Sequence, residues 1–139
     1  MKKRGFGTGK WNGFGGKVES GETVDQAAKR ELMEECGVIA RELSLRGRLV
    51  FHVPSYPSTM RVHVYEAVSY EGDPVESEEM RPRWFSTAHL PFKDMWADDE
   101  HWMPLFLQRK LFRGEFRFSD EQTIVSHDLR ELAPKGIVE

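Results

Sequence analysis

The stretch from Gly16 to Val38, GKVESGETVDQAAKRELMEECGV, leaves the chain little local choice. Thr23 followed three residues later by Gln26 has the spacing of a capping box, so a helix is expected to start just after Thr23. Gly37 is the residue type that stops a helix in a left-handed turn. Between these marks Val24, Ala27, Ala28, Glu31 and Glu35 fall on one stripe, small and apolar at first and then acidic. A solvated acidic face would lie opposite the apolar stripe, whereas these glutamates prolong it toward a cleft. Glu31, Glu34 and Glu35 stand at i, i+3 and i+4, where like charges cost a helix about 0.2–0.5 kcal/mol per pair. A divalent cation would remove that cost, and all-oxygen ligands suit Mg²⁺ or Mn²⁺.

Arg30 precedes Glu34 by four residues and can pair with it. Ahead of the helix, Asn12-Gly13-Phe14-Gly15-Gly16 is a glycine-rich turn that lets backbone come close to a metal or a phosphate. Gly16, Glu22, Arg30, Glu31, Leu32, Glu34, Glu35, Gly37 and Val38 match the pattern G-x5-E-x7-R-E-U-x-E-E-x-G-U, where U is aliphatic. In these positions the chain resembles the Nudix hydrolases. The resemblance implies an α/β fold, an α/β/α sandwich with a mixed β-sheet. It also implies Mg²⁺-dependent cleavage of a nucleoside diphosphate linked to another moiety, with Mn²⁺ as the alternative metal. On it rest Glu31, Glu34 and Glu35 as catalytic carboxylates and metal ligands, joined by a backbone carbonyl at Gly15 or Gly16. Glu35 is the first choice to position or deprotonate water, and Glu22 is expected to anchor the loop with Arg30. Glu79 is a candidate ligand from outside the helix, although a run such as Glu76–Glu79 is by residue type alone a solvated loop.

With 139 residues the chain suits one domain, residues 1–139, with a sizeable core. A net charge of −3 gives no electrostatic footprint for a nucleic-acid polymer. No run is long or apolar enough for a membrane span or a signal peptide. One cysteine, Cys36, excludes an intramolecular disulfide and reads as a passive thiol. The expectation is a monomer in the cytoplasm, with mitochondrial or nuclear pools as alternatives, and a small nucleotide as its partner.

Arg46–Val53 and Met60–Ser69 are β-rich runs separated by a proline-containing loop, as in a hairpin. Arg83–Phe85 is predicted as a short strand, and Asp98 or Asp99 as the cap of a helix through about Leu111, with Pro104 in its first turn. Glu115–Phe118 and Thr123–Leu129 read as a closing strand pair. Pro82 and Trp84 read as packing residues.

GKWNGFGGKV, PVESEEMRP, PFKDMW and Trp96-Ala97-Asp98-Asp99 narrow the resemblance to Nudix enzymes of oxidised purine nucleoside triphosphates. That implies a purine pocket of Phe6, Asn12, Phe51, Met60, Trp96, Asp98, Asp99 and Trp102. Flat aromatics suit base stacking, worth about 1–3 kcal/mol per base. Asn12 offers a donor and an acceptor. Adjacent carboxylates should leave one protonated, so that the pair presents both a donor and an acceptor and could read 8-oxo-guanine and 2-hydroxy-adenine by moving one proton. By type alone, Trp96, Trp102 and Phe51 also suit a core, Met60 strand packing, and the aspartates a helix cap. Enzymes of this group carry another strand before the position of Met1, so the domain is expected to be truncated at its N-terminus, with lower stability and substrate affinity. The function implied is hydrolysis of 8-oxo-dGTP and 2-hydroxy-dATP to monophosphate and pyrophosphate, which sanitises the nucleotide pool and prevents DNA damage. The alternatives are a Nudix pyrophosphatase of another nucleotide and an inactive nucleotide-binding fragment.

Overall fold

The elements run in the order α1 (Val24–Cys36), β1 (Ile39–His52), β2 (Met60–Glu71), α2 (Asp99–Leu107), β3 (Leu111–Asp120) and β4 (Thr123–Leu132). They come from a computed structural model, which describes residues 1–134. The strands make one four-stranded sheet in the order β2-β1-β3-β4. β1 runs parallel to β3, with Gly47 opposite Phe112 and His52 opposite Arg117. β3 and β4 form an antiparallel hairpin. The sheet is therefore mixed, as expected. A parallel pair needs a long crossover, and residues 53–110 supply it.

The chain divides into two compact units, one of Met1–Ser44 with Glu66–Met95, the other of Leu45–Tyr65 with the residues from Trp96 onward. β1 and β2 each contribute to both. In the first unit α1 begins and ends where the capping pattern placed it. Gln26 N–H donates to Thr23 Oγ1 at 3.3 Å, and Thr23 N–H to Gln26 Oε1 at 2.9 Å. Gly37 has φ 78°, a left-handed turn that side chains resist, and its N–H closes on Met33 O at 2.9 Å. Ala27, Glu35 and Cys36 are the buried residues of the helix. The N-terminal segment lies along Glu76–Arg81, bonded through Lys3 N–H to Glu79 O at 2.8 Å and Arg81 N–H to Met1 O at 2.9 Å.

The second unit is organised by β3, where Phe112, Gly114, Phe116 and Phe118 are buried in strict alternation with exposed residues. This period of two puts three phenylalanines on one face of the sheet. They form a core with Leu49, Val53 and Trp102.

Four local expectations need correction. Arg83–Phe85 forms no strand, and the regular pairing near it is a lone bridge between Lys2 and Met80. Pro82 has no N–H to give a ladder, and Arg83 folds its guanidinium over the Phe85 ring at 5.1 Å. Trp84 does not pack inward and is 72% exposed. α2 ends at Leu107, not Leu111, because Arg109 turns left-handed with φ 58°. Lys110 N–H then bonds Leu105 O and Arg109 N–H bonds Phe106 O, both at 3.0 Å, a Schellman ending without its usual glycine. Pro104 lies beyond the first turn of α2, inside the helix.

Candidate active site

Each unit holds one set of the candidate side chains. In the first, the stripe of α1 delivers Glu31 and Glu35 inward and leaves Glu34 largely exposed. Glu35 is 3% exposed, and its Oε1 accepts the Gly15 N–H at 2.7 Å. Burial is the main cause that pushes its carboxyl up to about 7. The Gly15 bond and Lys2 act against that shift, and the charges of Glu31 and Glu79 add to it. The Glu31 carboxyl lies against Gly16, where an added Cβ would come within 2.5 Å of it. A side chain at Gly16 would therefore push the Glu31 carboxyl aside, and the turn expected to approach a metal or a phosphate here lies against a carboxylate.

Arg30 organises this set. Its Nε and Nη2 grip both oxygens of Glu22, at 3.1 and 2.8 Å, and Nη2 also donates to Lys17 O at 3.0 Å. Nη1 reaches Glu31 at 2.8 Å and Glu34 at 3.2 Å. The bond from Arg30 is the largest cause holding the Glu22 carboxyl below its ordinary range. Glu22 is therefore tied into the loop, and the pairing of Arg30 with Glu34 is one contact among several.

Sequence reasoning did not single out the partners of Glu79. Arg4 Nη2 donates to its carboxylate at 3.3 Å, and Ser77 Oγ accepts its N–H at 3.3 Å. Lys3 Nζ pairs with Glu76 at 2.5 Å. The basic start Lys2-Lys3-Arg4 set against the acidic run Glu76–Glu79 was the available signal.

Among the described residues no three His, Cys, Asp or Glu side chains close on one point as they would around an ion. Each carboxylate has another partner: Glu31 and Glu34 have Arg30, Glu35 has Gly15, and Glu79 has Arg4. The donors nonetheless fit a hard divalent cation. They are all oxygens, and Glu35 lies buried near the charges of Glu31 and Glu79.

The second unit holds Asp98 and Asp99, 4% and 3% exposed. Asp98 is at the N-cap position of α2 but bonds no helix N–H with its side chain. Its Oδ2 instead accepts the Trp102 indole N–H at 2.7 Å. Burial raises both carboxyls, and the Asp98 charge adds to the rise of Asp99, which reaches about 8. Asp99 Oδ2 is buried without a hydrogen-bond partner among the described residues. An unpaired buried polar atom is costly and calls for a ligand or a proton.

Trp96 meets Phe118 edge-on, with ring centroids 6.0 Å apart. Phe51 stacks on Phe116 at 5.9 Å, and Met60 packs against the same core. Trp102 is a core residue, stacked on Phe112 at 5.6 Å with its N–H committed to Asp98. Phe6 and Asn12 belong to the first unit. Asn12 Oδ1 accepts the Gly13 N–H at 3.0 Å, and the residue lines a cavity of about 290 Å³ with Trp11, Phe14, Trp84 and Phe85. That cavity contains none of the α1 carboxylates.

The NUDIX domain profile matches residues 1–106. Over 132 residues the chain is 52% identical to the oxidized purine nucleoside triphosphate hydrolase of Mus musculus, covering 95% of this chain and 85% of that protein. The protein of the same name from Danio rerio is 53% identical over 132 residues, with the same coverage. Among solved structures, the MutT protein of Bacillus halodurans superposes with a TM-score of 0.78 at 25% identity, covering 87% of this chain and 82% of that one. No helix of the described residues is long and apolar enough to cross a membrane.

Proposed function

The chain belongs to the Nudix family, and on that premise we propose that it hydrolyses oxidised purine nucleoside triphosphates to monophosphate and pyrophosphate. The observation that carries the choice of base is the buried Asp98–Asp99 pair. With one carboxyl protonated and one ionised, the pair offers a donor and an acceptor side by side, and Asp99 Oδ2 has no other partner among the described residues. An oxidised purine edge supplies the complementary groups, and Trp96 supplies a flat face for stacking.

Glu31, Glu34, Glu35 and Glu79, with a carbonyl of Gly15 or Gly16, would hold the divalent cation, Mg²⁺ in our reading. When bound, such a cation neutralises phosphoryl charge and acidifies the attacking water. Glu35 Oε1 is occupied by the Gly15 N–H, which leaves Oε2 to take a proton from water. A carboxyl near 7 is matched to that task at neutral pH. Arg30 restrains Glu31 and Glu34 from one guanidinium, while its bidentate grip on Glu22 fixes it to the loop. Phe51 and Met60, in the same unit as the aspartates, complete the proposed base contacts, and Trp102 acts by holding Asp98.

Pyrophosphate release from 8-oxo-dGTP and from dGTP with saturating Mg²⁺ tests the reading. Higher kcat/KM on 8-oxo-dGTP is expected. Equal values, or cleavage confined to some other nucleotide, would reject the assignment of the base.

A further inference from the structure

We propose that His101 and His127 form a second metal site, separate from the α1 carboxylates and selective for a borderline transition cation, Zn²⁺. His101 lies on α2 and His127 on β4, and their ring centroids are 4.6 Å apart with the planes tilted by 41°. Both rings rest against Phe116. His127 is the cross-strand partner of Phe116 and stacks on it at 5.5 Å with only 10° between the planes. His101 meets the same phenylalanine at 6.1 Å. Phe116 itself is fully buried.

The nitrogens of this pair are available. His52 spends Nε2 on Glu115 at 2.7 Å and has Thr59 Oγ1 beside Nδ1 at 3.5 Å. Neither His101 nor His127 makes a hydrogen bond to a described residue; their contacts are the ring contacts above and the Asp98 charge. Imidazole rings held this close can share one cation, and nitrogen ligands favour Zn²⁺, Ni²⁺ or Cu²⁺ over Mg²⁺, which prefers oxygen. No third His, Cys, Asp or Glu among the described residues joins them, so water would complete the shell. His127 is exposed, which gives a cation access. The Asp98 carboxylate, one turn before His101 on the same helix, adds favourable negative potential.

The test is calorimetric titration of the whole chain with ZnCl₂ at saturating Mg²⁺, beside NMR of the imidazole Cε1–H signals. One binding event is expected, moving the His101 and His127 signals together. His101→Phe and His127→Phe keep a ring beside Phe116 and remove the nitrogens, and each should weaken Zn²⁺ binding about tenfold or more through loss of chelation. A smaller loss in both variants overturns the proposal, as does a titration that moves only other histidines. Should a variant fail to fold, the NMR titration of the unsubstituted chain still decides.

Discussion

The indole N–H of Trp102 donates to Asp98 Oδ2 at 2.7 Å, across one turn of α2 and wholly out of solvent. Phenylalanine at this position would keep the stack on Phe112 and strip Asp98 of its donor. An unsatisfied buried acceptor costs about 1–3 kcal/mol. Trp102→Phe should therefore lower the urea midpoint by a corresponding amount and raise KM for 8-oxo-dGTP with little change in kcat. An unchanged midpoint would mean that the bond contributes nothing to the fold.

The aspartates should differ in what they read. Asp98→Asn and Asp99→Asn each fix one member as a neutral amide, so the two variants should shift the ratio of 8-oxo-dGTP to 2-hydroxy-dATP hydrolysis unequally. Steady-state kinetics on both substrates between about pH 6 and 9 provide the check. A parental ratio in both variants throughout that range would end the proton-swapping account.

Stability should carry the mark of Asp99 as well. Its carboxyl rises from 3.8 to about 8 in the folded chain. Between those values the folded state keeps a proton that the unfolded chain has released, so stability falls as pH rises. The penalty is absent below the lower value and complete above the upper one. Asp99→Asn removes it, so the gain in Tm over the parent should be larger near pH 8 than near pH 5. Thermal melts at both pH values measure this, and a gain independent of pH would contradict it.

Gly16→Ala should damage turnover without unfolding α1. The new Cβ would meet the Glu31 carboxyl at 2.5 Å, so Glu31 must turn away. A displacement of that kind at reacting groups costs up to about 10²-fold in rate. Circular dichroism should match the parent while kcat falls by about tenfold or more. Retained kcat would show that the position of Glu31 is not critical.

Glu35→Gln keeps an oxygen to accept the Gly15 N–H and removes the group that takes the proton. Turnover should nearly vanish, with the melting temperature equal to or above that of the parent, because a buried ionisable group has become neutral. More than about a tenth of parental turnover at saturating Mg²⁺ would exclude Glu35 as the base.

The α1 side was readable because its determinants are local. Thr23, Gln26 and Gly37 set the ends of α1 through bonds spanning at most four residues, and the helical repeat then places Glu31 and Glu35 beside Ala27. Where an ending broke local rules, the pattern misled. Arg109 takes the left-handed position at the end of α2 that glycine normally holds, so the helix was read too long. Arg83–Phe85 has strand-forming residues but no neighbouring strand, and a strand exists only through its pairing.

By itself, then, the sequence determined the family and the helix that bears the carboxylates, since residue type and short spacing suffice for these. Tertiary structure alone decided that Arg4 meets Glu79 and that His101 and His127 face each other. Arg4 and Glu79 stand 75 residues apart in the chain. Contacts between elements depend on register and burial, and desolvation is what turns the adjacent carboxyls of Asp98 and Asp99 from an ordinary helix start into a pair that holds a proton near neutral pH.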